Sequence, residues 1–179
     1  MPDPQHSDLD RPPFAEVYRE HAARVYRYCL SQVGNAGDAE DLATDVFASA
    51  FAAYGRERSG PVLPWLLTTA RNAIVDHYRR RSRRSALAAR FLGAESEADP
   101  AADVEGEVVV RDELRRVLRA MRGMPERDRT LLGLRIAADL PYAEIGTVLG
   151  VSEHAATVRT RRRSGASPVR GCPRAPGAL

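Results

Sequence analysis

The sequence predicts an all-α protein of two small helical domains joined by a flexible acidic linker. Apolar residues recur at helical spacing in one stretch after another. Val, Ile and Thr never gather in the alternating runs that mark strands. Residues 92–106, dominated by Gly, Ala, Glu, Asp and Pro, show no periodicity, which divides the chain in two. At 179 residues, one domain or two small ones fit. The expected organisation is a disordered lead at 1–12, a first domain at 13–90, the linker at 91–107, a second domain at 108–163 and a disordered tail at 164–179.

A helical face begins at Phe14 and continues through Val17, Tyr18, His21, Val25 and Tyr28, until Val33-Gly-Asn-Ala-Gly37 breaks it. Asp38 is expected to cap a second helix, with Leu42, Ala43, Val46, Phe47, Ala50, Phe51 and Tyr54 facing inward. Asp38, Asp41 and Asp45 then share its other face at i, i+3 and i+7. Gly55 to Gly60 reads as a short polar loop. Pro61 and Pro64 open a third helix, because proline is tolerated in a first turn. That helix runs through Trp65, Leu66, Ala70, Ala73, Ile74 and His77 and ends in Arg79-Arg-Arg-Ser-Arg-Arg84.

The second domain opens with Val110, Leu114, Val117, Leu118 and Met121 on one helical face. Gly123 and Pro125 interrupt, and a further helix covers Glu126 to about Ala138. Next comes Leu140-Pro-Tyr-Ala-Glu-Ile-Gly-Thr-Val-Leu-Gly-Val-Ser-Glu-His154, which reads as helix, tight turn, helix. Tyr142, Ile145, Gly146 and Leu149 form one apolar face. Gly150 sits at the expected helix stop and Ser152 at the next N-cap. A polar second helix held by a short turn against an apolar one is suited to entering a DNA major groove. It would offer Glu153, His154, Thr157, Arg159, Arg161 and Arg162 to solvent. The bland alternative is a helical hairpin with solvated arginines, but the charges concentrate where groove contacts would be made.

All 27 basic residues are arginine, and the net charge is +3. Its distribution says more than its sum. Residues 56–90 carry nine Arg against Glu57 and Asp76, residues 91–113 carry eight acids against Arg111, and no acid follows Arg159. Two basic zones with an acidic spacer suggest two contacts with a polyanion. The Arg79–Arg84 run projects from a helix and can neutralise phosphates, with counterion release. Trp65, Asn72, His77 and Tyr78 on the same helix are of the types that stack on or hydrogen-bond unpaired bases. For Trp65 and Tyr78, a plain core role is the competing reading.

Catalytic arrangements are missing from the sequence. His6, His21, His77 and His154 lie in different elements, and there is no Gly-x-Ser-x-Gly, His-Glu-x-x-His or phosphate loop. Cys29 and Cys172 form no CxxC pair and no metal-spaced cluster, and Cys29 reads as a small core residue. The three acids of the second helix lack a histidine partner, so a metal site there is disfavoured. No cofactor is expected, and no apolar stretch approaches membrane-spanning length, which makes the cytoplasm the expected compartment.

The motifs together resemble a known family. Asp38-Ala-Glu-Asp-Leu-Ala-Thr-Asp-Val-Phe47 resembles the DAEDLxQ(E/D)xF helix of bacterial sigma-70-type factors. Pro64-Trp-Leu-Leu-Thr-Thr-Ala-Arg-Asn72, with Asp76 and the arginine run, resembles their WLxxIARNxxxDxxRRxxR segment. Met124-Pro-Glu-Arg-Asp-Arg129 and Tyr142 to Glu153 resemble their C-terminal helix-turn-helix domain. The short length and direct jump between these domains match the extracytoplasmic-function (ECF) subgroup. The resemblance covers about residues 14–163.

It implies a non-enzymatic initiation factor that binds core RNA polymerase and promoter DNA, with an anti-sigma factor as inhibitory partner and no membrane insertion. The helix bearing Asp38, Asp41 and Asp45 would dock on the clamp helices of the largest polymerase subunit. Trp65, Arg71, Asn72, Arg79, Arg80 and Arg83 would serve the −10 element, with a flipped base captured beside the Gly55–Pro61 loop. The helix from Ser152, with Glu153, His154, Thr157, Arg159, Arg161 and Arg162, would read the −35 element as duplex. The recognition helix departs from the family by ending early, at Arg161-Arg-Arg-Ser-Gly-Ala-Ser-Pro168. Only Ala156 and Thr160 would point inward, so the second domain is expected to be the less stable one. Two rivals are a plain operator-binding regulator, which co-elution with core polymerase would separate, and a metal enzyme using the acids of residues 38–45.

Overall fold

The computed structural model describes residues 12–54, 60–92 and 108–163; at 88–89, 91–92, 108–111 and 159–163 the description is of the backbone only. The expected lead, the loop after Tyr54, most of the linker and the tail lie outside the described residues. Among the described residues seven α-helices follow in order: α1 Phe14–Val33, α2 Ala36–Ala53, α3 Val62–Leu92, α4 Val108–Arg122, α5 Glu126–Leu132, α6 Tyr142–Leu149 and α7 Glu153–Arg163. One wide turn of π type, Gly133–Ala137, continues α5. There is no strand among the described residues.

Helices α1, α2 and α3 pack against one another around Val25, Tyr28, Cys29, Leu42, Val46, Leu66, Leu67 and Ala70. Full burial of an aliphatic side chain such as Leu66 contributes about 1.5–3 kcal/mol. Cys29 is buried as expected, and burial pushes its thiol pKa up to about 12. The cap of α2 differs from the expectation. Asn35 is the N-cap: its Oδ1 accepts from the Asp38 amide at 2.8 Å, and its Nδ2 donates to Asp38 Oδ2 at 2.8 Å. Asp38 is therefore inside the first turn, in a reciprocal capping arrangement.

Three further differences have physical causes. Helix α3 does not end at the arginine run; arginine is a good helix former, and the helix continues to Leu92. Phe51, expected inward, is 67% exposed, near the end of α2 and edge-on to Phe14. Leu114 and Val117 of α4 are also exposed, because α4 rests on α1 rather than inside a core of its own.

The second half does not stand apart from the first. Leu131, Leu134, Ala138, Leu140, Ile145 and Val148 join the same buried cluster as Tyr28 and Leu66. The π turn packs on α1, and α6 packs on α3. Gly133 makes the contact with α1 possible. A Cβ there would run into the Gln32 side chain, lie 2.6 Å from Ser31 Oγ and 3.2 Å from the Tyr28 ring. A side chain at this position would have to displace Gln32 and Ser31, which are buried and hydrogen-bonded to each other.

Candidate nucleic-acid and docking surfaces

Helix α2 turns Leu42, Val46 and Ala50 into the core, and this leaves its acids on the opposite side. Asp41 and Asp45 are exposed. Asp38 is not a free carboxylate. His77 Nε2 lies 3.5 Å and Arg81 3.8 Å from its Oδ2, so it braces α2 to α3.

On α3 a cleft of about 630 Å³ opens against α2. Its α3 wall is Thr69, Asn72, Asp76, Arg80 and Arg83, one stripe at helical spacing, and its α2 wall includes Asp45 and Ser49. Three of the residues selected from sequence for the −10 element, Asn72, Arg80 and Arg83, thus meet in one place. Arg79 is exposed beside them and pairs with Asp76 at 3.4 Å. Arg71 and Trp65 do not line the cleft. Arg71 is exposed, and its charge is felt at Tyr28, on the α1 side of the helix. Trp65 is half-buried against the core. Tyr78 splits its two roles: it is partly exposed, yet its Oη donates to the Gln32 carbonyl at 2.7 Å.

The helix-turn-helix forms as expected. Gly150 ends α6 in the left-handed region at φ 65°, and the Ser152 Oγ accepts from the Ala155 amide at 3.2 Å. Ile145, Val148 and Ala156 are buried between the two helices and α5. Glu153 and His154 are exposed at the start of α7. Thr157 is half-buried, with its hydroxyl donating to the Glu153 carbonyl at 3.0 Å. The side chains of Arg159, Thr160, Arg161 and Arg162 lie outside the described residues.

Among the described residues no three His, Cys, Asp or Glu side chains are grouped to hold a metal ion. Nor is any helix there long and apolar enough to cross a membrane. Sequence reasoning missed a set of polar residues between the two halves: Arg24, Arg27, Gln32 and Arg122. The one signal available was a polar pair, Ser31-Gln32, continuing the buried face of α1.

A capped helix-turn-helix joined to a helical bundle with an exposed arginine stripe defines a DNA-binding transcription protein built from two modules. Residues 17–84 match the family model for Sigma-70 region 2, and residues 114–162 match that for Sigma-70, region 4. The ECF RNA polymerase sigma factor SigK of Mycolicibacterium vanbaalenii is 31% identical over 94% of this chain and 85% of its own length. SigE of Mycolicibacterium smegmatis is 32% identical over 89% of this chain and 61% of its own length. The fold also matches solved structures. CnrH, in complex with the cytosolic domain of CnrY, superposes with a TM-score of 0.62 at 22% identity, covering 84% of this chain and 82% of that one. RpoE of Bartonella quintana, in complex with the anti-sigma factor NepR, superposes with a TM-score of 0.64 at 20% identity, covering 83% and 90%. The chain belongs to the sigma-70 family, in its ECF subgroup. It is a sigma factor that binds core RNA polymerase and directs transcription initiation.

Proposed function

We propose a division of labour among the surfaces described above. Asp41 and Asp45 on α2 dock on the clamp helices of the largest polymerase subunit. Asp38 contributes by holding α2 against α3, since its carboxylate is already engaged by His77 and Arg81. Asn72, Arg80 and Arg83 receive the −10 element once its bases are unpaired, with Arg79, Arg71 and Trp65 extending the contact along α3. Helix α7 reads the −35 element as duplex through Glu153, His154 and Thr157, followed by Arg159, Arg161 and Arg162.

The observation that carries this reading is the α2–α3 cleft. It joins a docking acid, Asp45, to an amide and two guanidiniums on a single stripe. Guanidiniums hold phosphates, and an amide can hydrogen-bond a base edge. Opening the duplex then needs no hydrolysis by this chain, because contacts to the unpaired strand offset the unstacking. The chain performs no chemistry of its own on this reading and works in the cytoplasm. An anti-sigma factor is the expected inhibitor, in keeping with the complexes of CnrH and RpoE.

Run-off transcription with core polymerase on a promoter library tests the whole reading. Defined start sites that require both α3 and α7 support it. A holoenzyme that forms but starts RNA chains nowhere in particular overturns it.

A further inference from the structure

The α2–α3 cleft holds a residue that the division of labour above leaves without a task. Asp76 lines it together with Asn72, Arg80 and Arg83. These four lie on one face of α3, at steps of four, four and three residues. A helix rises about 1.5 Å per residue, so Asn72 and Arg80 each stand about 6 Å from Asp76 along the axis, and Arg83 about 10.5 Å. Asp76 pairs with Arg79 through Oδ1 at 3.4 Å. Both side chains are largely exposed, and a surface pair of this kind contributes little. A carboxylate accepts at two oxygens, so one long contact leaves it able to take further donors.

The order of these groups sets a direction for a bound nucleotide. Two guanidiniums at one end suit a phosphate, and an amide with a carboxylate at the other suits a base edge. The cleft, about 630 Å³, is of ordinary size for a small-ligand site and has room for one nucleotide. An unpaired base in such a site is read along its Watson–Crick edge. Guanine offers two adjacent donors there, N1–H and the amino group on C2, which match the two oxygens of a carboxylate. Cytosine and adenine each offer one amino group. Thymine offers only N3–H, flanked by two carbonyl oxygens. An ionised carboxylate accepts and cannot donate, so it repels those oxygens. Asp45 lines the cleft from α2 and adds a second acceptor of the same kind.

We propose that Asp76 sets base specificity: at one unpaired position of the −10 strand it selects an amino-bearing base, guanine above cytosine and adenine, and rejects thymine. The inference rests on the reading of the α2–α3 cleft as the −10 contact. Asn72, one turn before, both donates and accepts and so tolerates any base. Arg80 and Arg83 hold a phosphate whatever base it carries. At the base end of the stripe, Asp76 is the group that hydrogen-bonds in one sense only. Such a group discriminates strongly, because the wrong base leaves it facing an acceptor or unpaired.

The test is run-off transcription by holoenzyme containing the full chain, from a promoter library randomised across the −10 element, with start sites and template sequences read together. Wild type is expected to exclude thymine at one −10 position. Asp76→Asn keeps the shape of the side chain and supplies a donor, which can bond a thymine carbonyl while the amide oxygen accepts N3–H. It should raise thymine relative to guanine at that position by at least about fivefold, the low end of what a bidentate base contact discriminates, and leave other positions unchanged. Arg79→Ala should weaken transcription across the library without changing the preferred base. An unmoved preference in Asp76→Asn overturns the proposal, and so does a gain spread evenly over all −10 positions, which marks simple loss of negative charge. The same shift in Arg79→Ala also overturns it, since Asp76 would then act only through Arg79. A wild-type holoenzyme that starts nowhere in particular overturns the reading of the cleft itself; defined starts with an unmoved preference overturn the role of Asp76 alone.

Discussion

His77 Nε2 stands 3.5 Å from Asp38 Oδ2 and ties the middle of α3 to the first turn of α2. Arg81 adds a second contact at 3.8 Å, and Asn35 Nδ2 a third at 2.8 Å. The Asp38 carboxylate is 32% exposed, so the ion pairs are weakened by solvent and the cap supplies much of the stabilisation. Asp38→Ala keeps the amide bond to Asn35 but loses the Asn35 Nδ2 hydrogen bond and both ion pairs, and is expected to cost about 1 kcal/mol of stability. Asp41, on the exposed face, has no such duty. Asp41→Arg should weaken polymerase binding with no change in denaturation midpoint. Denaturant titrations and polymerase affinities of the two variants give opposite patterns on this account; identical patterns would exclude it.

The arginine stripe yields a prediction about salt. Arg80 and Arg83 line the cleft, while Arg81 turns back toward Asp38. Removing one guanidinium that neutralises a phosphate should reduce the slope of log affinity against log salt by roughly one unit on duplex, somewhat less on single strands. Arg80→Ala and Arg83→Ala should each show this for promoter DNA bound by holoenzyme. Arg81→Ala should leave the slope intact and lower stability. A slope indifferent to Arg80 and Arg83 removes phosphate binding from their role.

Much of this organisation is legible in the sequence because it depends on neighbours in the chain. The faces of α1 and α2, the Gly150 stop and the Ser152 cap are all local patterns, and they form with two exceptions, Tyr18 and Phe51, which are exposed. Errors arise where two local signals compete. Asn35 and Asp38 are both good cap residues, and only geometry shows that Asn35 takes the cap while Asp38 answers it from inside the helix. The arginine run looks like a terminus by its charge, yet arginine favours helix and no breaker follows until Gly93. What sequence cannot supply is a partner a hundred residues away. Gln32 reads as a polar residue near a helix end; it is 2% exposed because the Arg129 carbonyl meets it. Gly133 falls inside the helix expected from Glu126 to about Ala138 and does lie within a helical turn, but the sequence does not show that its missing side chain faces Gln32 and Ser31. Within the candidate site, the stripe Asn72, Arg80 and Arg83 follows from helical period alone. Asp45 joins it only through the packing of α2 on α3.

A buried histidine sets a pH dependence. His21 is 7% exposed, and its Nδ1 finds no hydrogen-bond partner. Burial lowers its pKa below 6.5, outweighing the pull of Glu20 upward, and Arg24 lowers it further. The unfolded chain therefore takes up a proton near pH 6.5 that the folded chain resists. Stability contributed by the neutral ring is present above that pH and is lost as pH falls below it. Wild type should lose more stability than His21→Leu between pH 7.5 and 5.5. Equal losses in thermal melts at the two pH values would mean that His21 protonates as readily folded as unfolded.

The last prediction concerns the helix-turn-helix. Over residues 153–158 of α7, Ala156 alone is fully buried, so this helix is held by a thin seam and by its cap. The Ser152 hydroxyl satisfies the Ala155 amide, and Ser152→Ala should cost about 1 kcal/mol. If that cost falls on the bound conformation of α7, affinity for −35 duplex drops about fivefold. The seam also predicts a gradient of local stability. Amides of α7 should exchange faster than those of α1, whose Val25, Tyr28 and Cys29 lie at the centre of the core. Ser152→Ala should widen that gap by loosening α6 and α7 while α1 to α3 keep their protection. Uniform exchange across both halves, or uniform acceleration in the variant, would show one cooperative unit in which neither the short seam nor the cap acts locally.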